Sequence, residues 1–350
     1  MQTFMLKPLY ISPLGKGGVD IGIQNITRSM QRAGHQPSLR RLSHLFNFAP
    51  MAAKLALGRN WWQGHDLVQA RSRCAWALRA PGLPLVTTVH HIVTDPLLQP
   101  YSSPQQRLFY RLVEKTYDGL SVRLADEVIC VSRYTQEQTR LTYGDRPTTV
   151  IYDGIDTEVF TPAPDFQRTN DLPEHPAPIR LLFVGNRTRR KGFDLLPKIM
   201  DQLGPQYVLY YTESFQGVQA APPHPQMVRI GTPDRDGLIA AYRSCDVLLF
   251  PARVEGFGIV AAEAGACGKP VITTNASALP EVVNHGETGL LCELDNVQAF
   301  VQAIQELGED PARRLQMGQA ARERVASNFG YDVLARELAA VYRRALFGTA

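Results

Sequence analysis

No apolar run among the 350 residues reaches the ~18–20 that a membrane-spanning helix needs, so the sequence predicts no such span. Cysteine is scarce: there are five, an odd number, none in Cys-x-x-Cys spacing. That argues against a disulfide framework or a thiolate zinc site, and for reduced thiols in a cytosol. No His-x3-His pair occurs and no carboxylates stand at matching spacing, so no metal is predicted. Neither sign of charge dominates, and a net +4 with 20% charged residues excludes a disordered polyelectrolyte. Residues 1–7 lack the basic-then-apolar pattern of a secretory leader, and the predicted location is the cytoplasm.

What is present is globular material: 44% hydrophobic residues over a length that suits two domains of ordinary size. Charge is unevenly spread. From Met1 to Asn170 there are 19 Lys+Arg against 13 Asp+Glu, and from Arg28 to Arg79 nine basic residues stand against the single acid Asp66. Within that basic region, residues 39–62 interleave apolar and aromatic side chains with Arg, His and Lys, and Pro50 limits them to two short helices. Three readings stay open. Phe46, Phe48, Trp61 and Trp62 enter the headgroups at the inner face of a membrane while the cations meet anionic lipid. Alternatively, the region grips a phosphorylated or acidic acceptor, or it is a packed helical hairpin with a solvated basic rim.

The most informative stretch is residues 245–291. Asp246-Val-Leu-Leu-Phe250 is an apolar run short enough for a strand buried on both faces, and Pro251 ends it. Glu255-Gly-Phe-Gly258 has the composition of a tight loop whose glycines let backbone N–H groups meet a ligand. A helix follows from Ile259 to Cys267, with Gly268 closing it and Val271-Ile-Thr273 as the next strand. A loop leading into a helix N-terminus at the carboxyl end of a strand suits a phosphate or diphosphate. Glu263, eight residues after Glu255, is suitably spaced to read hydroxyls at the far end of a nucleotide sugar.

Glu255 and Glu263, seven residues apart, with Gly256-Phe257-Gly258 after the first, resemble the Glu-x7-Glu signature of retaining family-4 glycosyltransferases of GT-B fold. The flanking Cys245-Asp-Val-Leu-Leu-Phe-Pro251, Gly265-Ala-Cys-Gly-Lys-Pro-Val-Ile272 and Glu281-Val-Val-Asn-His-Gly-Glu-Thr-Gly-Leu-Leu291 are similar to that family as well. The resemblance implies an α/β chain of two Rossmann-like, doubly wound parallel-sheet domains facing a cleft, with a last helix that crosses back to the N-terminal domain. It is strong over residues 179–291 and thin over 28–79.

Other segments fit the same outline. Residues 5–11 read as a strand and 21–33 as a helix, and the resemblance implies that Gly17 and Gly18 between them approach the donor. Leu85-Val-Thr-Thr-Val89 reads as a strand ending in His90, which the resemblance places beside the donor sugar; His91 stands where the family often has Asp. After the strand 179–184 comes Gly185-Asn-Arg-Thr-Arg-Arg-Lys-Gly192, with four cations for a diphosphate. Lys191 matches the family lysine, whereas the arginine position falls on Asn186 with Arg187 adjacent. Asp153-Gly-Ile-Asp156 resembles an Asn-Gly-Val-Asp turn with Asp153 in the place of Asn. Five prolines between Thr161 and Pro178 mark a linker.

The predicted layout is therefore an acceptor domain over 1–165, a linker over 166–178, a nucleotide-sugar domain over 179–328, and a final helix over 329–350. Two motifs point elsewhere. Asp234-Arg-Asp236 has metal-transferase spacing, but its place before a helix predicts N-cap acids. Gly256–Ala261 fits G-x-G-x-x-A, yet five residues separate it from its strand, which is wrong for a dinucleotide turn.

The predicted activity is retaining transfer of a hexose from a UDP- or GDP-linked sugar to a hydroxyl acceptor on a glycan, a lipid or an anionic molecule, as in polysaccharide or glycolipid synthesis. No cofactor and no nucleic acid are predicted. By resemblance, Glu255, Lys191, Arg187 and His90 are catalytic, and Gly17, Gly18, Asn186, Gly256, Phe257, Gly258, Ile259 and Glu263 bind the donor. A nucleotide-sugar epimerase of the same fold and a non-catalytic binder of anionic polymer remain as alternatives.

Overall fold

The computed structural model describes residues 4–13, 18–47, 49–164, 169, 171–173, 179–213 and 222–348. The chain divides into two compact units, residues 1–154 with 329–350 and residues 155–328.

The first unit holds a six-stranded sheet in the order β2-β1-β3-β4-β5-β6. Its strands are β1 (Pro8–Pro13), β2 (Ser38–Leu42), β3 (Leu67–Arg71), β4 (Leu85–Val89), β5 (Glu127–Cys130) and β6 (Thr149–Val150). Every pairing is parallel. Alternate residues of each strand feed two cores, as expected of a sheet covered on both faces. Leu9, Ile11, Val68, Ala70, Leu85 and Val89 pack with Trp61, Ala75, Leu78 and Val122. Tyr10, Leu67, Val86 and Ile129 pack with Ile23, Ile26 and Met30 of the helix Gly18–Arg32 and with Leu334, Leu338 and Val341 of the helix Tyr331–Phe347. The C-terminal helix thus belongs to the N-terminal unit. A buried polar chain fastens it there: Tyr342 donates to Gln69 Oε1, Tyr10 and Tyr342 hydroxyls lie 3.2 Å apart, and Gln69 donates to Thr88 Oγ1 at 2.8 Å.

The second unit has its own six-stranded parallel sheet, ordered β12-β11-β10-β7-β8-β9. These strands are β7 (Ile179–Phe183), β8 (Tyr207–Tyr211), β9 (Met227–Arg229), β10 (Val247–Phe250), β11 (Val271–Thr274) and β12 (Gly289–Cys292). Counted from β7 this is the doubly wound order in which winding reverses between β7 and β10, so their carboxyl ends flank the crevice where such sheets take ligands. The helix Val297–Glu309 covers the sheet with Phe300, Val301, Ile304 and Leu307, the i, i+4, i+7 stripe of an amphipathic helix.

Several sequence expectations need correction. Residues 38–42 are the edge strand β2 rather than part of a helical segment; Arg40 and Arg41 are exposed on it, and that cationic edge disguised the strand period. Residues 155–164 group with the second unit, not the first. Asp156 pairs with Arg235 at 3.0 Å, and the Phe160 and Thr161 carbonyls accept from Arg322 and Arg243. Where the expected linker is described, it too is bonded into that unit: the Asp171 N–H donates to Ser244 Oγ and Tyr210 to the Pro173 carbonyl.

Three of the four aromatic residues of the basic region pack inward. Trp61 is 4% exposed in the core, with Phe46 and Trp62 packed against the same cluster, while Phe48 lies outside the described residues. The charge there is also partly neutralised by acids from elsewhere: Arg41 meets Asp20, Arg73 meets Glu114 and Arg79 meets Asp126. Among the described residues no helix is long and apolar enough to cross a membrane. All five cysteines are free and buried.

Candidate active site

Two loops of the second unit meet beside the β7/β10 reversal, one after each strand. Gly192, at φ +73°, permits the closest approach: a Cβ there would stand 2.0 Å from the Pro251 carbonyl oxygen. Arg253, 3% exposed, clamps the pair. Its guanidinium donates to Asp194 at 2.6 Å, to Asp295 at 2.6 Å and to the Arg189 carbonyl, and its N–H donates to the Arg190 carbonyl at 2.9 Å. Thr188 caps the turn, its side chain accepting from the Lys191 N–H.

This clamp sets the charged centre. Lys191 Nζ lies 2.6 Å from Glu255 Oε1 and 5.0 Å from the centre of the Phe250 ring. Arg190 donates to the same Oε1 at 3.1 Å and to the Val254 carbonyl at 2.8 Å. Burial pushes the Glu255 carboxyl up, but the charges of Lys191 and Arg190 more than offset it and hold the group below the usual carboxylate range. Burial also draws the Lys191 ammonium below the usual lysine range, against the opposing pull of Glu255. The Glu255 N–H donates to Ser277 Oγ at 3.0 Å, and Ser277 has a left-handed backbone at φ +52°. A non-glycine residue there marks local strain of the kind that gathers at functional sites.

Gly258, at φ +109°, leads into the helix Ile259–Ala266; a Cβ at this position would meet Leu279 Cδ2 at 3.0 Å. Gly256 is half-buried, Phe257 is buried, and Ile259 opens the helix. Glu263 lies on the same helix, 4% exposed, and accepts from the Tyr242 hydroxyl at 2.9 Å. Burial pushes its carboxyl up to about 7, with Tyr242 and Arg235 pulling the other way.

The structure therefore joins Lys191 and Glu255 but not Arg187. Arg187 leans over the Phe193 ring, 5.2 Å from its centre, and pairs with Glu213 at 3.7 Å; Glu213 also holds Arg229 at 3.2 Å. Arg190 stands where Arg187 was expected. The resemblance singled out Lys191 in that loop, but its arginine position fell on Asn186, and only adjacency favoured Arg187 over the other arginines. Ser277 and Tyr242 carried no sequence signal at all, and Asn186 is exposed. Asp234 caps the helix Arg235–Ser244, accepting from the Gly237 N–H at 2.9 Å, which accounts for the Asp-x-Asp spacing.

In the first unit, Gly18 is the exposed first residue of the helix Gly18–Arg32, and Gly17 lies outside the described residues. His90 follows β4. Its ring hydrogen-bonds the Thr88 backbone, its Nε2 is buried without a partner among the described residues, and burial with the charges of Arg71 and His91 pushes it down to about 3.

Two family models match the chain, "Glycosyl transferases group 1" over residues 218–324 and "Glycosyltransferase Family 4" over residues 36–159. The D-inositol 3-phosphate glycosyltransferase of Kribbella flavida is 30% identical over 310 residues, 81% of this chain and 70% of that protein. The enzyme of the same name from Pseudarthrobacter chlorophenolicus is 28% identical over 274 residues, and the match spans 72% of this chain but only 63% of that relative. Among solved structures, sucrose-phosphate synthase from Thermosynechococcus elongatus superimposes with a TM-score of 0.83 at 23% identity, over 98% of this chain and 100% of that one. HepE from Anabaena, solved with UDP and glucose, gives 0.72 at 20% identity, over 96% and 98%. These likenesses establish the GT-B fold.

Proposed function

Because this chain belongs to the group 1, family-4 glycosyltransferases, we propose that it transfers a sugar from a nucleoside-diphosphate donor to a hydroxyl acceptor with retention of anomeric configuration and without a metal. The observation that carries this reading is the convergence of Lys191 and Arg190 on Glu255 beside the β7/β10 reversal. Two cations on one carboxylate leave a surplus positive charge where a doubly wound sheet binds its ligand, and a diphosphate answers it. Glu263 is the acceptor for the ribose hydroxyls. Glu255 and the amides of residues 256–259 hold the sugar and its β-phosphate, and by resemblance His90 is the first unit's residue for the sugar. UDP in the HepE structure supports a nucleotide donor of this kind.

In the proposed reaction the anomeric C–O bond to the β-phosphate breaks. The acceptor oxygen forms its bond on the same face, and its proton passes to a phosphate oxygen. Lys191 and Arg190 stabilise the charge that develops on the departing diphosphate. For the acceptor, a hydroxyl on a glycan, a lipid or a phosphorylated or otherwise anionic molecule is the reading retained. Contact with an anionic membrane is narrowed to the helix Pro50–Leu57, where Met51 and Leu55 are exposed beside Lys54.

Thermal unfolding with UDP, GDP, ADP and their sugars tests the proposal. A ligand at ~100 times its Kd adds about 2.7 kcal/mol of stability, so one nucleotide family raises Tm in the wild type and not in Glu263→Ala. No shift with any nucleotide overturns the reading. Conversion of the donor with no acceptor present would favour the epimerase.

A further inference from the structure

We propose that Ser277 is a positioning residue for Glu255. Its hydroxyl holds the Glu255 backbone from a strained turn, and the strain persists because glycine, which would relieve it, has no hydroxyl. The turn follows β11. The Leu279 N–H donates to the Ala276 carbonyl at 3.3 Å, and between them stand Ser277 at φ +52° and Ala278 at φ −83°, ψ −4°. A tight turn whose first central residue has positive φ is one that glycine fills by default. Serine takes that backbone only at an energetic cost that the surrounding fold must outweigh.

What accompanies the cost is one contact. Ser277 Oγ accepts from the Glu255 N–H at 3.0 Å, across 22 positions of sequence. Among the described residues that is the only hydrogen bond of this N–H. A second strained residue acts on the same loop. Three described residues other than glycine have positive φ: Asn60, in a turn of the first unit, Ser277 and Asp295. Asp295, at φ +61°, follows β12 and accepts from Arg253 Nε at 2.6 Å. Arg253 and Glu255 both belong to the loop after β10. The loops after β11 and β12, the two strands beyond β10 in the sheet, therefore each present one strained residue to it. Strain that recurs against one loop is strain placed to hold that loop. With its N–H fixed, Glu255 carries its carboxylate to Lys191 Nζ at 2.6 Å and Arg190 at 3.1 Å. A group held this way needs little reorganisation when charge develops beside it.

The part of this inference that concerns turnover rests on the transferase reading. Ser277→Ala removes the hydroxyl and keeps the strain, whereas Ser277→Gly removes both. The glycine variant should melt about 2–4 °C above the alanine variant, and it carries the test alone if the alanine variant does not fold. Turnover is followed with UDP-glucose, GDP-mannose and ADP-glucose as donors and D-glucose, D-mannose and myo-inositol as acceptors. In both variants kcat should fall about tenfold while the donor KM stays within about twofold of wild type. In a Glu255→Gln background the same substitutions should lower kcat less than about twofold, because the carboxylate they serve is gone. A serine that only supported the fold would leave Ser277→Gly at wild-type kcat. That result, or equal losses in both backgrounds, overturns the proposal. Should wild type bind no UDP, GDP or ADP in calorimetric titration, the transferase reading fails. In that case, and if binding occurs without turnover on this panel, the same cycle is read by melting temperature. An effect of Ser277→Gly on Tm that changes in the Glu255→Gln background supports the positioning, and an unchanged one refutes it.

Discussion

In the second unit, Glu255 is met by Lys191 and Arg190, Glu263 by Tyr242 and Arg187 by Glu213, so these charged groups have partners within the fold. In the first unit, Asp153 and His90 Nε2 border one gap, and among the described residues neither has a hydrogen-bond partner. The difference concerns what each region waits for. Where strong charges meet in a buried centre, leaving them unpaired would cost several kcal/mol per ion, so the fold supplies internal partners that a diphosphate must displace or share. A carboxyl and a neutral imidazole carry a smaller penalty and can be left for the ligand to satisfy.

The comparison breaks most sharply at Lys191. Lys191→Ala should lower kcat a few hundredfold, about 3–4 kcal/mol of barrier, while circular dichroism stays native because Arg190 still balances Glu255. Turnover near wild type in that variant would remove Lys191 from the mechanism.

Glu263 gives the next effect, and its sign follows from burial. Its folded pKa is raised from 4.5 to about 7, so the folded state holds the proton more tightly than the unfolded one. The stability this brings is complete at pH below 4.5 and is lost as pH rises to about 7. Glu263→Gln has no such loss and still accepts from Tyr242. Its stability relative to wild type should grow by roughly 2–3 kcal/mol between pH 5 and pH 8, read by urea unfolding. An equal difference at both pH values would mean that Glu263 is not held in its protonated form. Nucleotide affinity should move oppositely in wild type, improving as the carboxylate ionises.

The smallest effect sharpens the other side. Tyr342→Phe removes a hydroxyl shared by Gln69 and Tyr10 in a polar chain that is already satisfied, unlike His90 Nε2. It should cost about 1–2 kcal/mol of stability and leave nucleotide affinity unchanged. A loss of nucleotide binding in Tyr342→Phe would contradict the separation of the two regions.

Local chemistry was readable where it repeats locally. The strand, glycine loop and helix of residues 246–267 lie where the apolar run, Pro251 and the glycines put them, because each signal spans only a few neighbours. Ser132 and Asp234 cap helices for the same reason. The basic region failed on both counts that depend on distant partners. Nine cations in sequence became partly paired with Asp20, Glu114 and Asp126, and the tryptophans turned inward because the sheet needed them. The choice of Arg190 over Arg187 likewise rests on contacts with residues some sixty positions away, namely Val254 and Glu255.

The sequence by itself determined a strand, glycine loop and helix around the Glu-x7-Glu spacing, and through them the resemblance to the GT-B glycosyltransferase family, since strand length, glycine placement and that spacing are properties of short segments. Only the tertiary structure decided which cation joins Lys191, that Arg253 locks the two loops together, and that Asp153 and His90 share a gap over Gly22. Those outcomes depend on strand order and on close backbone approach, and both arise from packing between segments that no local pattern encodes.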